Sequence, residues 1–186
     1  RRLAKTDYRN LMRRRIRRIL LICSSYDAYT LEEDGRLEVQ LNHEYMELNL
    51  SNPPSFTRVS SSTEALELLQ GENDFDLVIS MFNVGDLDVF HFSKQLKALH
   101  PEIPFVLLTN FSKDIYRRIE GEDRSAIDYI FSWHGNADLI LAIVKLIEDR
   151  MNADDDILGV GVQSILLVED SIRYYSTYLP AIYKLV

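Results

Sequence analysis

One cysteine among 186 residues excludes an internal disulfide framework and suits a reducing compartment. Long hydrophobic runs are also missing. The apolar stretches are short and interrupted, so none reaches the length of a transmembrane helix, and no membrane association is expected. The opening stretch RRLAKTDYRNLMRRRIRR has no apolar centre of the kind a signal peptide needs. These absences point to a cytoplasmic protein. His43, His91, His100 and His134 are scattered without metal-ligand spacing, and neither a metal nor a cofactor is expected.

What is present is ordinary for a globular chain. Hydrophobic residues make up 46% and charged residues 27%, enough for one sizeable domain and some appendages. The net charge of −8 conceals a division. Residues 1–18 hold nine Lys or Arg and one acid, Asp7, so the acidic excess lies beyond them. Residues 1–16 form a basic N-terminal segment, with a short helix expected over 5–15. No aromatic-interleaved motif accompanies its arginines, where Tyr8 is the one aromatic residue, and this favours a solvated connecting segment over a nucleic-acid surface.

From there the pattern alternates. IRRILLIC (16–23), FTRVS (56–60), FDLVISMF (75–82), IPFVLLTN (103–110) and AIDYIFSW (126–133) read as strands. Helical stretches are expected near 26–50, 61–71, 89–99, 112–122 and 136–151. The first carries Leu37, Leu41, Tyr45 and Leu48 on one face and stops at SNPPS (51–55), because proline cannot continue a helix. SSTEALELLQG (61–71) has hydroxyl residues at its start, Glu64 in its first turn and Gly71 at its end. Strand–helix alternation repeated five times implies a parallel sheet covered on both faces. The expected fold is α/β, a flavodoxin-like, doubly wound five-stranded sheet in the order 2-1-3-4-5, with functional groups at the carboxyl ends of the strands. This domain spans 17–152, and 153–164 read as a linker.

The linker leads to a repeat. ILLVED at 165–170 restates ILLICS at 19–24, and SIRYYSTYLPAIYKLV (171–186) follows as a helix interrupted by Pro180. Residues 165–186 therefore read as the truncated start, one βα unit long, of a second domain of the same kind, with the acidic pair Glu169 and Asp170 where the first copy holds Cys23 and Ser24. One strand and one helix cannot bury their own faces, so this tail is expected to pack on the first domain or on another copy. A homodimer that exchanges the tail is one form of that expectation.

At the level of whole blocks, the chain over 17–151 resembles the receiver (CheY-like) domain of bacterial response regulators. DLVISMFNVGDLDVFHFSKQLK is similar to that family's third strand, loop and third helix. PEIPFVLLTN, SAIDYIFSW and ADLILAIVKLI are similar to its fourth strand, its fifth-strand block and its last helix. The resemblance implies a site built from an acidic pair that holds Mg²⁺, an aspartate that accepts a phosphoryl group, a Thr or Ser, and a Lys. Matched position by position, the acidic pair falls on Cys23 and Ser24, and the phosphoacceptor on Met81. The Thr is retained as Thr109, and the Lys falls on Ser132. Tyr129 falls on the aromatic position that, in the family, reports phosphorylation to the face made by the fourth helix, fifth strand and fifth helix.

A thioether is a poor nucleophile towards phosphorus, Cys23 and Ser24 supply no carboxylate, and Ser132 supplies no charge. The resemblance with these replacements implies a degenerate pseudo-receiver: a non-enzymatic regulatory or assembly domain of a two-component-type signalling protein, with no catalytic residues of its own. Its partners are expected to be protein domains of the same parent chain or a second copy. RRILLICSSYDAYTLEEDGRLE and ILLVEDSIRYYSTYLP are similar to large bacterial proteins that carry a phosphoenolpyruvate synthase-like, PEP/pyruvate-binding region, which suggests a parent protein of that kind. Asp27, Asp86 and Asp88 lie near the same strand ends, where capping of helices is the expected role.

Two alternatives use the loop after the first strand. Cys23 stands where a low-molecular-weight phosphotyrosine phosphatase keeps its nucleophile, but Tyr29 replaces the arginine and SSYDAY has no glycine, so the thiolate would lack an anion cradle. A flavodoxin-like flavin or phosphate site is the other alternative, since CSSYDAYT is rich in hydroxyls. The stretch 26–50, longer than a receiver's first helix, is either a solvated helix or an added acidic docking surface.

Overall fold

The computed structural model describes residues 11–27, 37–47, 52–71, 74–110, 112–135 and 137–185. Five strands form one parallel sheet: β1 (Arg18–Ile22), β2 (Ser55–Val59), β3 (Leu77–Met81), β4 (Phe105–Thr109) and β5 (Tyr129–Ser132). Their order is β2-β1-β3-β4-β5, as the alternation of the sequence predicts. The helices are α1 (Leu37–Glu47), α2 (Ser62–Gln70), α3 (Val89–Leu99), α4 (Lys113–Gly121), α5 (Ala137–Asp154) and α6 (Ile172–Leu185). Among the described residues, no helix is long and apolar enough to cross a membrane.

The composition of each strand follows its position. The central strands β3 and β4 are buried along their whole length, and so is β1 from Ile19 to Ile22. A strand covered on both faces cannot alternate apolar and polar residues, which explains the continuous runs LLI, LVISM and FVLLT. β2 lies at an edge and keeps Ser55, Thr57 and Arg58. Phe92 and Phe105 meet edge to face at 5.6 Å in the core. Three helix starts are capped by side chains that the sequence places there. Ser61 accepts the Glu64 N–H, Asp88 accepts the Phe90 and His91 N–H groups, and Ser112 accepts the Ile115 N–H. Of the long helix expected over 26–50, residues 37–47 are helical; Leu48 lies outside the described residues.

Three segments differ from the sequence-based expectation. The helix expected over 5–15 is not formed at residues 11–15, and residues 5–10 lie outside the described ones. Instead the chain runs along α5 and bonds to its side chains. Glu148 Oε1 accepts the Ile16 N–H at 2.9 Å. Asn152 accepts the Arg14 N–H and donates to the Arg14 carbonyl, both at 2.8 Å. Both Asp156 carboxylate oxygens accept the Met12 N–H at 3.3 Å. Residues 12, 14 and 16 thus meet side chains at 156, 152 and 148, which follow one another about one helical turn apart.

The linker begins later than expected. α5 continues to Asp154 and then into a π-helical turn, Asp155–Val160. Gly161 closes the turn in the left-handed region at φ 79°, where its N–H reaches the carbonyls of Asp156 and Ile157.

No strand forms at 165–170. β1 holds the same apolar run because β2 and β3 flank it. At the opposite end of the sheet, the outer edge of β5 is met by α6. The Ser132 N–H donates to Ser176 Oγ at 2.7 Å, and Tyr175 stacks on Phe131 at 5.6 Å. Leu179 enters the core, Tyr183 donates to Asp149 at 2.5 Å, and Lys184 pairs with Asp138 at 2.8 Å. The helix therefore packs on its own domain, and it runs through Pro180 to Leu185.

Candidate functional site

The carboxyl ends of β1, β3, β4 and β5 carry the residues that the sequence singles out. Cys23 follows β1 and is buried. Ser24 caps the helical turn at 25–27: its Oγ accepts the Asp27 N–H at 3.2 Å and donates to Asp27 Oδ2 at 2.6 Å. The first bond is that of an N-cap, and the second ties the same hydroxyl to the Asp27 carboxylate. It occupies the loop hydroxyl that a flavin phosphate would need and places a carboxylate beside it.

Met81, which the resemblance matches to the phosphoacceptor, ends β3 with 6% of its surface exposed. The hydroxyl of the preceding Ser80 turns to the Met81 carbonyl at 3.0 Å. Thr109 ends β4, and its Oγ1 donates to the Asn110 carbonyl at 3.2 Å. Ser132 ends β5 fully buried, with its hydroxyl 3.1 Å from His134 Nε2. These strand ends converge at one edge of the sheet. Cys23, Ser24, Met81 and Ser132 bring neither a carboxylate nor a cation to it.

The nearby acids have structural work. Asp86 reaches the start of α2, where it accepts the Ser62 and Thr63 N–H groups at 2.9 Å and the Thr63 hydroxyl at 2.8 Å. Partial desolvation acts to raise its carboxyl, but these hydrogen bonds outweigh it and hold the group down at about 2. Asp88 caps α3 and also takes the guanidinium of Arg118, which lies over the Phe82 ring at 5.4 Å. Asp27 is bound to Ser24.

Tyr129 lies half-buried on β5, stacked on Phe131 at 6.0 Å, with the Arg150 guanidinium 5.6 Å from its ring centroid. With Phe131 and Tyr175 it makes a run of stacked rings from β5 into α6. α6 thus occupies the β5–α5 part of the face that Tyr129 belongs to. Glu169 and Asp170 line a cleft of about 360 Å³ with Arg124, Asp128, Tyr129 and Tyr175. Glu169 accepts the Ser171 N–H at 3.0 Å, which makes it part of the start of α6.

Two features escape sequence reasoning. Glu148, although almost fully buried, keeps its charge paired: it accepts from Lys145 at 2.9 Å and from the Ile16 N–H. A buried acid in an amphipathic helix gives no warning of a backbone partner 132 residues away. On α1, His43, Glu44 and Glu47 bring three possible ligand atoms within 4.8 Å of one another. Helical spacing produces that group, and it lies on the protein's surface, away from the strand ends.

No protein-family model matches the chain, and no curated protein sequence matches it. Solved structures do. A streptococcal redox sensor, described as evolved from two-component response regulators, superposes with a TM-score of 0.57 at 18% identity, covering 84% of this chain and 59% of that one. A CheY-like receiver domain protein from Methanospirillum hungatei JF-1 gives 0.56 at 13% identity, covering 75% of this chain and 98% of that one. A protein named adenylate cyclase, from Rhodopirellula baltica, gives 0.53 at 15% identity, covering 77% and 98%. The chain has the receiver, CheY-like fold. Since a protein named as an enzyme shares it, the fold by itself assigns no activity.

Proposed function

We propose that this receiver-fold unit takes no phosphoryl group and serves as a regulatory or assembly domain through protein contacts. The observation that carries the reading is the side chain at the end of β3. Met81, buried and apolar, stands where phosphoryl transfer needs a nucleophilic carboxylate. The other replacements agree with it. Cys23 and Ser24 give Mg²⁺ no carboxylate, and Ser132 gives a phosphoryl oxygen no cation. One loss of phosphoryl chemistry accounts for all of them.

In this reading the unit belongs to a multidomain signalling protein, and its partners are domains of the same parent chain or a second copy. The resemblance to proteins with a PEP/pyruvate-binding region suggests the kind of parent. Because α6 covers the β5–α5 face, partners reach the unit through α6 and the segment before it. Lone Cys23, buried, does not support a redox role like that of the streptococcal relative.

The test is incubation with Mg²⁺ and acetyl phosphate, and separately with beryllofluoride. The expected result is an unchanged mass in the first case and an unchanged near-ultraviolet or NMR spectrum in the second. Stoichiometric phosphorylation, or a saturable beryllofluoride response, would overturn the reading.

A further inference from the structure

We propose that the hollow between α5, α6 and the segment joining them is a binding site for a small amphipathic cation, an apolar body carrying one protonated amine. The site goes beyond the functional reading above and does not depend on it.

Three observations carry it. The first is shape and lining. The hollow has a volume of about 430 Å³, within the range of about 300–1,000 Å³ usual for small-molecule sites. Leu146 and Ala153 face it from α5, and Ile157 from the π-helical turn. Val162 and Leu167 face it from residues 161–171, which form neither helix nor strand, and Ile182 faces it from α6. Apolar side chains from four parts of the chain therefore converge on one space without filling it, which suits an apolar guest.

The second observation is charge. Two carboxylates, Asp149 and Asp156, line the hollow against one cation, Arg150. The Arg150 guanidinium is engaged elsewhere, 3.6 Å from Asp128 and 5.6 Å from the Tyr129 ring centroid. Asp156 is engaged too, since both its oxygens accept the Met12 N–H. Asp149 is held on one side only. The Tyr183 hydroxyl donates to its Oδ2 at 2.5 Å, and among the described residues Oδ1 takes no hydrogen bond and no cation forms a salt bridge with the group. An open carboxylate oxygen beside apolar walls fits an ammonium N–H, through a charge-assisted hydrogen bond.

The third is the local field. Desolvation, joined by the charges of Glu148 and Asp156, pushes the Asp149 carboxyl above its ordinary value, against the lowering by Tyr183 and Lys145. The negative charge there is under-compensated. A bound ammonium supplies the missing positive charge, whereas a bound carboxylate adds to the repulsion.

The test compares three probes that share one apolar body: phenylbutylamine, phenylbutanol and phenylbutyrate. Each is titrated into the full chain and followed by amide NMR. The amine is expected to give saturable shifts centred on Ala153, Ile157, Val162, Leu167 and Ile182. The alcohol is expected to bind the same residues about fivefold more weakly, the upper end for a solvent-facing ion pair, and the carboxylate more weakly still. Asp149→Asn is expected to bring the amine down to the affinity of the alcohol and to leave the alcohol unchanged. Ala153→Phe fills the hollow and is expected to abolish binding of all three, with circular dichroism and melting temperature as the check on folding. If that variant does not fold, the split between amine and alcohol in Asp149→Asn still decides. Shifts that do not saturate, shifts centred on other residues, equal affinity for amine and carboxylate, or an amine affinity indifferent to Asp149→Asn would each overturn the proposal. The phosphorylation test is independent of these outcomes, so failure of the cation site leaves the functional reading standing.

Discussion

Ser176 accepts the backbone N–H of Ser132 across 44 residues of sequence, at 2.7 Å and out of contact with solvent. The bond closes a donor at the outer edge of β5 that no neighbouring strand satisfies, and it does so from a helix. Because the Ser176 hydroxyl passes its own proton to the Ile172 carbonyl at 2.6 Å, the group is oriented as an acceptor. Replacing it by alanine leaves a buried N–H unpaired, which costs about 1–3 kcal/mol. Ser176→Ala is expected to lower the urea midpoint and to speed hydrogen exchange of the Ser132 amide, whereas Ser176→Thr, which keeps the hydroxyl, preserves protection.

Asn152 holds both polar groups of Arg14 and is itself almost fully buried. Asn152→Leu keeps the volume and removes donor and acceptor together. The expected loss is about 3 kcal/mol, at the net value of about 1 kcal/mol for each of the two bonds to Arg14 and the one to the Glu148 carbonyl. The same variant frees the arginine-rich segment, so trypsin is expected to cut after Arg13, Arg14 and Arg15 several-fold faster than in the parent protein.

Asp86 titrates at about 2 because hydrogen bonds at the start of α2 favour its charged form over the desolvation that opposes it. A depressed acid stabilises the fold above its unfolded value, near 3.8, and loses that contribution as pH falls through 2. Asp86→Asn is therefore expected to be less stable than the parent at pH 7, with the difference closing between pH 4 and 2. Denaturation curves of both proteins across that range, with an NMR titration of the Asp86 carboxyl, check the sign.

On the proposed reading, a carboxylate at position 81 alone is not enough for phosphoryl transfer. Met81→Asp puts a carboxylate on β3 with no acidic pair on β1 and no cation at Ser132. Acetyl phosphate is expected to leave its mass unchanged. Burial raises an unpaired aspartate's pKa, so the variant is destabilised at neutral pH and recovers as pH falls towards that raised value. Thermal melts at pH 7 and pH 5 measure the recovery.

The central sheet was legible because buried parallel strands must be apolar on both faces, and LLI, LVISM and FVLLT have no other comfortable place. Caps were legible too at Ser61 and Asp88, whose residue types suit a helix start. The contacts of Arg14 and Ile16 were not. A backbone group carries no side-chain identity, so nothing near residue 14 signals a partner at 152. The stretch 165–168 was misread for a related reason. Its composition matches β1, yet a strand is a property of its neighbours, and among the described residues none pairs with it. The sequence singles out Cys23, Ser24, Met81 and Ser132 at strand ends, whereas the use of Ser132 as an attachment point for α6 needed the fold.

The ladder between residues 12–16 and α5 has a mechanical consequence. Its hydrogen bonds lie side by side along the helix axis, so a pull between Met12 and Leu185 loads them in parallel, as shear. Residues Asp149 and Asp138 take the opposite load from α6 on a neighbouring face of the same helix. α5 then bears the tension as a strut while the sheet behind it carries little. Stretched in an optical trap from those two points, the molecule is expected to resist to higher force than when held across β2 and β5, where strands would unzip one bond at a time.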